Sequence, residues 1–96
     1  MSWAEHHTES ERLAAAAQEA LRKADVAQAE TLYVASGKAE QAAFEALEHA
    51  KERTRGITAV STVSLFYKGN DYASAQVFAC RCLANEALPA FAVSQI

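Results

Sequence analysis

The sequence predicts an all-α protein built from antiparallel helical hairpins. Three observations predict this fold class. The chain contains one proline and three glycines, too few turn residues for the many short connections of a β-sandwich or barrel. Alanine, the strongest helix former, supplies 23 of the 96 residues. Apolar residues recur at spacings of three and four over most of the chain, which is the period of an amphipathic helix.

The length and charge of the chain restrict its organisation and its partners. A chain of 96 residues supports a single domain, 1–96, with one modest core. Its net charge of -3 provides no general attraction to phosphate backbones or anionic lipid, so neither nucleic acid nor a membrane is expected as partner. Neither a signal peptide nor a membrane-spanning run is recognisable, and a cytoplasmic location is expected.

The first predicted helix begins after a frayed terminus, residues 1–7. Thr8 and Glu11 are spaced as a capping box, in which each side chain satisfies a free backbone N–H group. Asp25 ends this helix and caps the next, with Gln28 at the partner position.

The second helix is expected to run to about Arg53, which makes residues 8–53 the first hairpin. Gly37 costs roughly 1 kcal/mol in a helix but does not compel a break. The expected end is marked by Lys51, Arg53 and Arg55, solvated cations that favour a helix C-terminus, and by Gly56, which can take the left-handed capping conformation.

Residues 57–68 suit a strand by propensity, since β-branched and aromatic side chains are frequent there. Their apolar spacing also suits a helix, and a lone strand would leave its backbone groups unpaired. We therefore predict a helix, followed by a turn at 69–71 that completes a second hairpin, 57–84. Pro89 then suits the first turn of a C-terminal helix fragment, 86–96.

Two segments of the chain look alike. Ala20, Asp25, Val26, Ala29 and Tyr33 follow one another at the same spacings as Phe66, Asp71, Tyr72, Ala75 and Ala79. This pattern resembles the tetratricopeptide helical-hairpin repeat, and 40–68 is also similar to uncharacterised bacterial tetratricopeptide-like proteins. The two aspartates are 46 residues apart, whereas the family repeat has 34, so an insertion of about twelve residues is expected in the second helix, between Gly37 and Glu52.

The resemblance implies that the protein binds a peptide or partner helix and acts as an interaction module or scaffold. In the family, the first helix of each hairpin lines a concave binding face. The matching positions expected to contact a partner are Gln18, Leu21, Arg22, Val60, Ser64, Tyr67 and Lys68, with Glu11, Ala14 and Ile57 beside them. Arg22 and Lys68 could clamp a carboxylate or carbonyl, but cations late in a helix are also favoured by its dipole alone.

Self-association is a further expectation. Residues 57–96 hold only two basic and two acidic side chains, against seven and ten in residues 1–56. A homo-oligomer or a constitutive partner that covers this charge-poor half would explain the difference.

The enzymatic alternative rests on one cluster in the second helix. Glu45, Glu48, His49 and Glu52 would share one side of it as half of a metal site, which a dimer partner could complete. A solvated helix face is the competing interpretation. We predict no catalytic residue, no metal and no cofactor, and interpret Cys80 and Cys82 as small buried side chains in a reducing compartment.

Overall fold

A computed structural model describes residues 1–96 and confirms the all-α prediction. The helices are α1 (Trp3–Arg22), α2 (Val26–Glu45), α3 (Glu52–Lys68), α4 (Tyr72–Asn85) and α5 (Ala90–Gln95). Residues 57–68 are helical, as predicted, and there is no strand. Helix α2 packs against α1 and α3, and α3 packs in turn against α4 and α5.

No helix has both the length and the apolar character needed to cross a membrane.

The turns of the two hairpins repeat each other atom for atom. Asp25 and Asp71 cap α2 and α4, each accepting a 3.1 Å hydrogen bond from the backbone N–H three residues on. Their own N–H groups donate to the carbonyls of Ala20 and Phe66, both at 2.9 Å. The preceding residues, Ala24 and Asn70, take positive φ values of 59° and 60°. The internal repeat seen in the sequence is therefore also a repeat of backbone geometry.

Helix α1 begins at Trp3, inside the segment 1–7 that was predicted to be frayed, so that prediction was wrong. Ser2 rather than Thr8 is the N-cap, in a capping box with Glu5. Trp3 donates its indole N–H to Thr58 of α3 at 3.1 Å and stacks on His7. The hydrogen bond to Thr58 ties the first turn of α1 to a distant helix, a contact that the local sequence pattern does not contain.

The predicted end of α2 near Arg53 was also wrong, because the helix stops at Glu45 and α3 starts at Glu52. Arg55 accounts for the break. Its guanidinium is buried in the first turn of α3, where it donates to the Leu47 carbonyl in the connection and to Glu86 beyond α4. A helix continuing through the connection would not turn back to allow these bonds. The stretch from Gly37 to Glu52, where an insertion was expected, therefore holds the end of α2 and a loop, not one continuous helix.

Gly56 lies inside α3, not at a helix end as predicted. A Cβ atom there would lie 2.7 Å from the Pro89 ring and 3.0 Å from Phe91. Glycine at this position lets the segment leading into α5 approach the α3 backbone. Pro89 itself is the N-cap of α5.

The core lies where α2, α3 and α4 meet. Phe44 and Phe78 pack edge to face with ring centroids 5.4 Å apart, and Ala59 and Cys82 complete the buried cluster. The hairpin of α1 and α2 is closed instead by buried small residues, among them Ala17 and Ala29. The protein thus has one bulky core near its C-terminal half and a thin alanine seam in its first hairpin.

Candidate functional site

The first helices of the two hairpins, α1 and α3, border one open groove. We call it the α1/α3 groove; its cavity is about 300 Å³. It is lined by His7, Ser10, Glu11 and Ala14 of α1, by Glu40 of α2, and by Val60, Ser61, Ser64, Leu65 and Lys68 of α3.

The floor of this groove is organised by His7. Its Nδ1 lies 2.9 Å from the Glu40 carboxylate, and its Nε2 lies 3.2 Å from that of Glu11. The Glu40 side chain is only 3% exposed, and a buried carboxylate needs a charged or hydrogen-bonding partner. Trp3 covers the other side of the imidazole, with ring centroids 4.7 Å apart. His7 therefore joins α1 to α2 and closes the groove from below.

Below the same groove, two buried hydroxyl groups join α1 to α2. Ser10 and Ser36 lie 3.0 Å apart through their Oγ atoms, and Ser36 donates to the Ser10 carbonyl at 2.7 Å. Because both residues are small, the two helices approach closely at this point. The floor is thus polar, and its buried hydroxyl groups are hydrogen-bonded to each other.

The α3 wall offers free hydrogen-bonding groups. Ser61 is half-buried and Ser64 and Lys68 are exposed, and no ion pair or hydrogen bond within the chain uses the side chains of these three residues. The Lys68 ammonium lies 5.9 Å from the centre of the Tyr33 ring. Two hydroxyls and one ammonium are therefore available to a ligand, beside the apolar Val60 and Leu65.

The structure brings together some of the sequence-predicted partner-binding residues and separates others. Those that line the α1/α3 groove are Val60, Ser64 and Lys68, together with Glu11 and Ala14.

The remaining positions lie elsewhere. Gln18, Leu21 and Ile57 are exposed but do not line this groove. Arg22 is paired with Glu19 at 2.5 Å on the surface of α1. Tyr67 faces the other side of α3 and packs edge to face against Tyr72, with ring centroids 4.8 Å apart. Of the two cations expected to clamp a ligand, only Lys68 lines the α1/α3 groove.

Sequence reasoning missed His7 and Glu40. A signal for His7 was present, because Ser2 and Glu5 have the same capping-box spacing as Thr8 and Glu11 and would have started the helix earlier. No local signal distinguishes Glu40 from the other glutamates, since its burial depends on how α1 packs over α2.

The four residues of the metal half-site, which was considered as the enzymatic alternative, do not share one side of one helix. Glu45 ends α2, where it pairs with Arg81 at 3.0 Å, while Glu48 and His49 lie in the connection and Glu52 starts α3. No group of three or more His, Cys, Asp or Glu side chains is placed to hold a metal ion. His7 does not supply a substitute, because it meets Glu11 and Glu40 through opposite ring nitrogens.

A second, apolar depression lies between α3 and α4, and we call it the α3/α4 groove. Its cavity is about 500 Å³, and it is lined by Val63, Tyr67, Tyr72, Ala75, Gln76, Ala79, Cys80, Leu83 and Ile96. None of these side chains is charged. Tyr67 is 63% exposed, and Tyr72 and Leu83 are each 52% exposed.

The two cysteines have different environments. Cys82 is fully buried in the core, and this burial raises the pKa of its thiol to about 11. Cys80 is exposed in the α3/α4 groove, so the prediction that both are buried was wrong for Cys80. The two side chains project to different sides of α4 because they are two residues apart.

Comparison of this chain with protein-family models, with curated proteins and with solved structures gives no match.

Proposed function

We propose that the protein is a non-enzymatic interaction module that binds an extended peptide or a partner helix in the α1/α3 groove. The observation that carries this proposal is the free hydrogen-bonding capacity of Ser61, Ser64 and Lys68 beside a floor whose own polar groups are paired. Peptide backbones present both N–H donors and carbonyl acceptors, and a hydroxyl group can pair with either.

The charges around the groove suggest the chemistry of its ligand. Lys68 is unpaired, whereas Glu11 and Glu40 are both engaged by His7. A ligand carboxylate or a backbone carbonyl near Lys68 would gain a charge-assisted hydrogen bond. The peptide that fits best carries an acidic side chain or its C-terminal carboxylate near Lys68 and small side chains over Val60.

The resemblance to tetratricopeptide-like repeats supports the same face. The two hairpins share their turn geometry, with Asp25 and Asp71 capping equivalent helices. The first helix of each hairpin borders the groove, as the resemblance implies for the family's binding face.

The test uses a random heptapeptide library selected on immobilised protein, followed by titration of the strongest peptide. Lys68→Ala is expected to weaken binding by about 10-fold to 150-fold, the range for one charge-assisted hydrogen bond. Arg22→Ala is the matched control, because it removes an exposed cation that pairs with Glu19 outside the groove.

Amide chemical-shift mapping with the same peptide locates the binding face. Perturbations along α1 and α3 at the groove are expected. Equal losses of affinity in the Lys68→Ala and Arg22→Ala variants, or perturbations confined to α4 and α5, would contradict the proposed site.

A further inference from the structure

The internal repeat identifies a helix-packing surface on the second hairpin that no helix of this chain covers. On the first hairpin, the equivalent surface of α2 is covered by α3: the Phe66 ring packs on Gly37, and Val34 packs on Gly69. Adding the 46-residue repeat to Gly37 and Val34 gives Leu83 and Cys80 of α4. Both line the α3/α4 groove. The surface that corresponds to the seat of α3 is therefore left open in the second hairpin.

Within the chain, this seat receives only a small cover. Ile96 lines the groove and packs against the core, and α5 has only six residues. Leu83 and the two tyrosines remain half exposed or more. An open apolar surface of this kind marks an interaction site.

The occupant of the groove must present an uncharged face, because burying an unpaired charge is costly. Among the four long helices of this chain, α4 has the fewest charged residues, and the side chains that it contributes to the groove are all uncharged. Its one charged residue is Arg81, whose guanidinium is held by Glu45 at 3.0 Å and lines a different pocket, with Gln41 and Val77. Helices α1, α2 and α3 each carry several charged residues.

The exposed stripe of α4 can pair with itself. Tyr72, Gln76, Ala79 and Leu83 follow spacings of four, three and four, the pattern of a coiled-coil seam. Turned antiparallel about a two-fold axis near residue 77, Tyr72 of one copy meets Leu83 of the other, and Gln76 meets Ala79. The small Ala79 permits a close approach, and Gln76 near the axis favours a single register.

We propose that the protein forms a two-fold symmetric homodimer in which α4 of each copy occupies the α3/α4 groove of the other. The interface is isologous, so it closes at two copies. It uses the side of α3 that bears Val63 and Tyr67 and leaves the α1/α3 groove open. Dimer formation and peptide binding are therefore independent, and either can fail without the other.

The main test measures mass by light scattering between about 1 µM and 1 mM, the range of weak to moderate association. The wild-type mass is expected to rise from 10.3 kDa towards twice that value. Leu83→Glu is expected to raise the dissociation constant at least about tenfold, because symmetry places a carboxylate in the apolar groove from each copy.

Val77→Glu is the matched control. Val77 is on the same helix and is more exposed than Leu83, at 70%, but it lines the pocket on the α2 side. The control is expected to dimerise like wild type, and circular dichroism checks that both variants are helical. A monomeric wild type across the whole range overturns the proposal. So does an equal effect of the two variants, or an unchanged dissociation constant in Leu83→Glu.

A second measurement needs no variant. Cys80 is exposed in the groove and Cys82 is buried, so a maleimide reacts with the free protein at Cys80. The rate of Cys80 alkylation, read by mass spectrometry, is expected to fall at least about tenfold as the dimer becomes saturated. A rate independent of protein concentration, at concentrations where the mass doubles, would place the interface elsewhere and overturn the proposal.

Discussion

Arg55 provides the sharpest test of the fold, because sequence and structure assign it opposite roles. The sequence pattern predicts a solvated cation at a helix end, and its removal would then cost less than about 0.5 kcal/mol. In the structure its side chain is only 4% exposed, and its Nη2 lies 2.5 Å from the Glu86 carboxylate. Its guanidinium also lies 4.4 Å from the centre of the Phe44 ring.

The expected cost of Arg55→Ala follows from these contacts. Removing one partner of a buried ion pair destabilises a protein by about 3–5 kcal/mol. We expect about 3 kcal/mol, the lower end, since the Glu86 side chain is 19% exposed and His49 lies 3.7 Å from it. For a chain of this length that corresponds to a fall in melting temperature of about 12–24 °C.

Urea denaturation followed by circular dichroism measures the effect. Arg53→Ala is the matched control, since Arg53 lies two residues before Arg55 and is exposed. This substitution is expected to reduce the free energy of unfolding by less than about 1 kcal/mol. Arg55→Met separates the two contributions, because methionine keeps an apolar stem against Phe44 but carries no charge. If Arg55→Ala unfolds within 1 kcal/mol of Arg53→Ala, the buried pair is not a main support of the α2–α3 connection.

Two further predictions concern stability. Gly37→Ala would stabilise an isolated helix by roughly 1 kcal/mol, but a Cβ there would lie 2.8 Å from the buried Phe66 ring. The resulting overpacking costs about 1–3 kcal/mol, so the variant should be less stable in urea than wild type. A more stable variant would contradict that contact. Hydrogen bonds from Ser2 and Ser74 hold the pKa values of Glu5 and Asp71 below their ordinary values. Their stabilisation is therefore present above about pH 4.5 and is lost as the pH falls through the lowered values. The urea midpoint should decrease in that acidic range, less steeply in Asp71→Asn, and an identical acid profile for wild type and Asp71→Asn would refute this role of the cap.

The hairpin turns could be read from the sequence because their causes are local. An aspartate just before a helix can cap it by accepting a hydrogen bond from the backbone N–H three residues later. Both Asp25 and Asp71 do so. The helical period likewise sufficed to choose helix over strand for 57–68.

The groove was only partly predictable. Val60, Ser64 and Lys68 were placed correctly on one face because they share one side of one helix. Arg22 and Tyr67 were not, since the rotation of α1 and α3 about their axes depends on packing. The floor was missed because His7 meets Glu40 across 33 residues of sequence, and Ser10 meets Ser36 across 26.

By itself, then, the amino-acid sequence determined that this protein is all-α, where its two hairpin turns lie and which half is poor in charge. These features depend on backbone capping, helix propensity and composition, which act over a few residues. Tertiary structure decided between the two capping-box spacings, so that α1 starts at Trp3, and it alone decided that α2 stops at Glu45. The contacts that stabilise these two boundaries are long-range. Trp3 bonds to Thr58, 55 residues away, and Arg55 bonds to Glu86, 31 residues away. Contacts of that range exist only once the helices have packed.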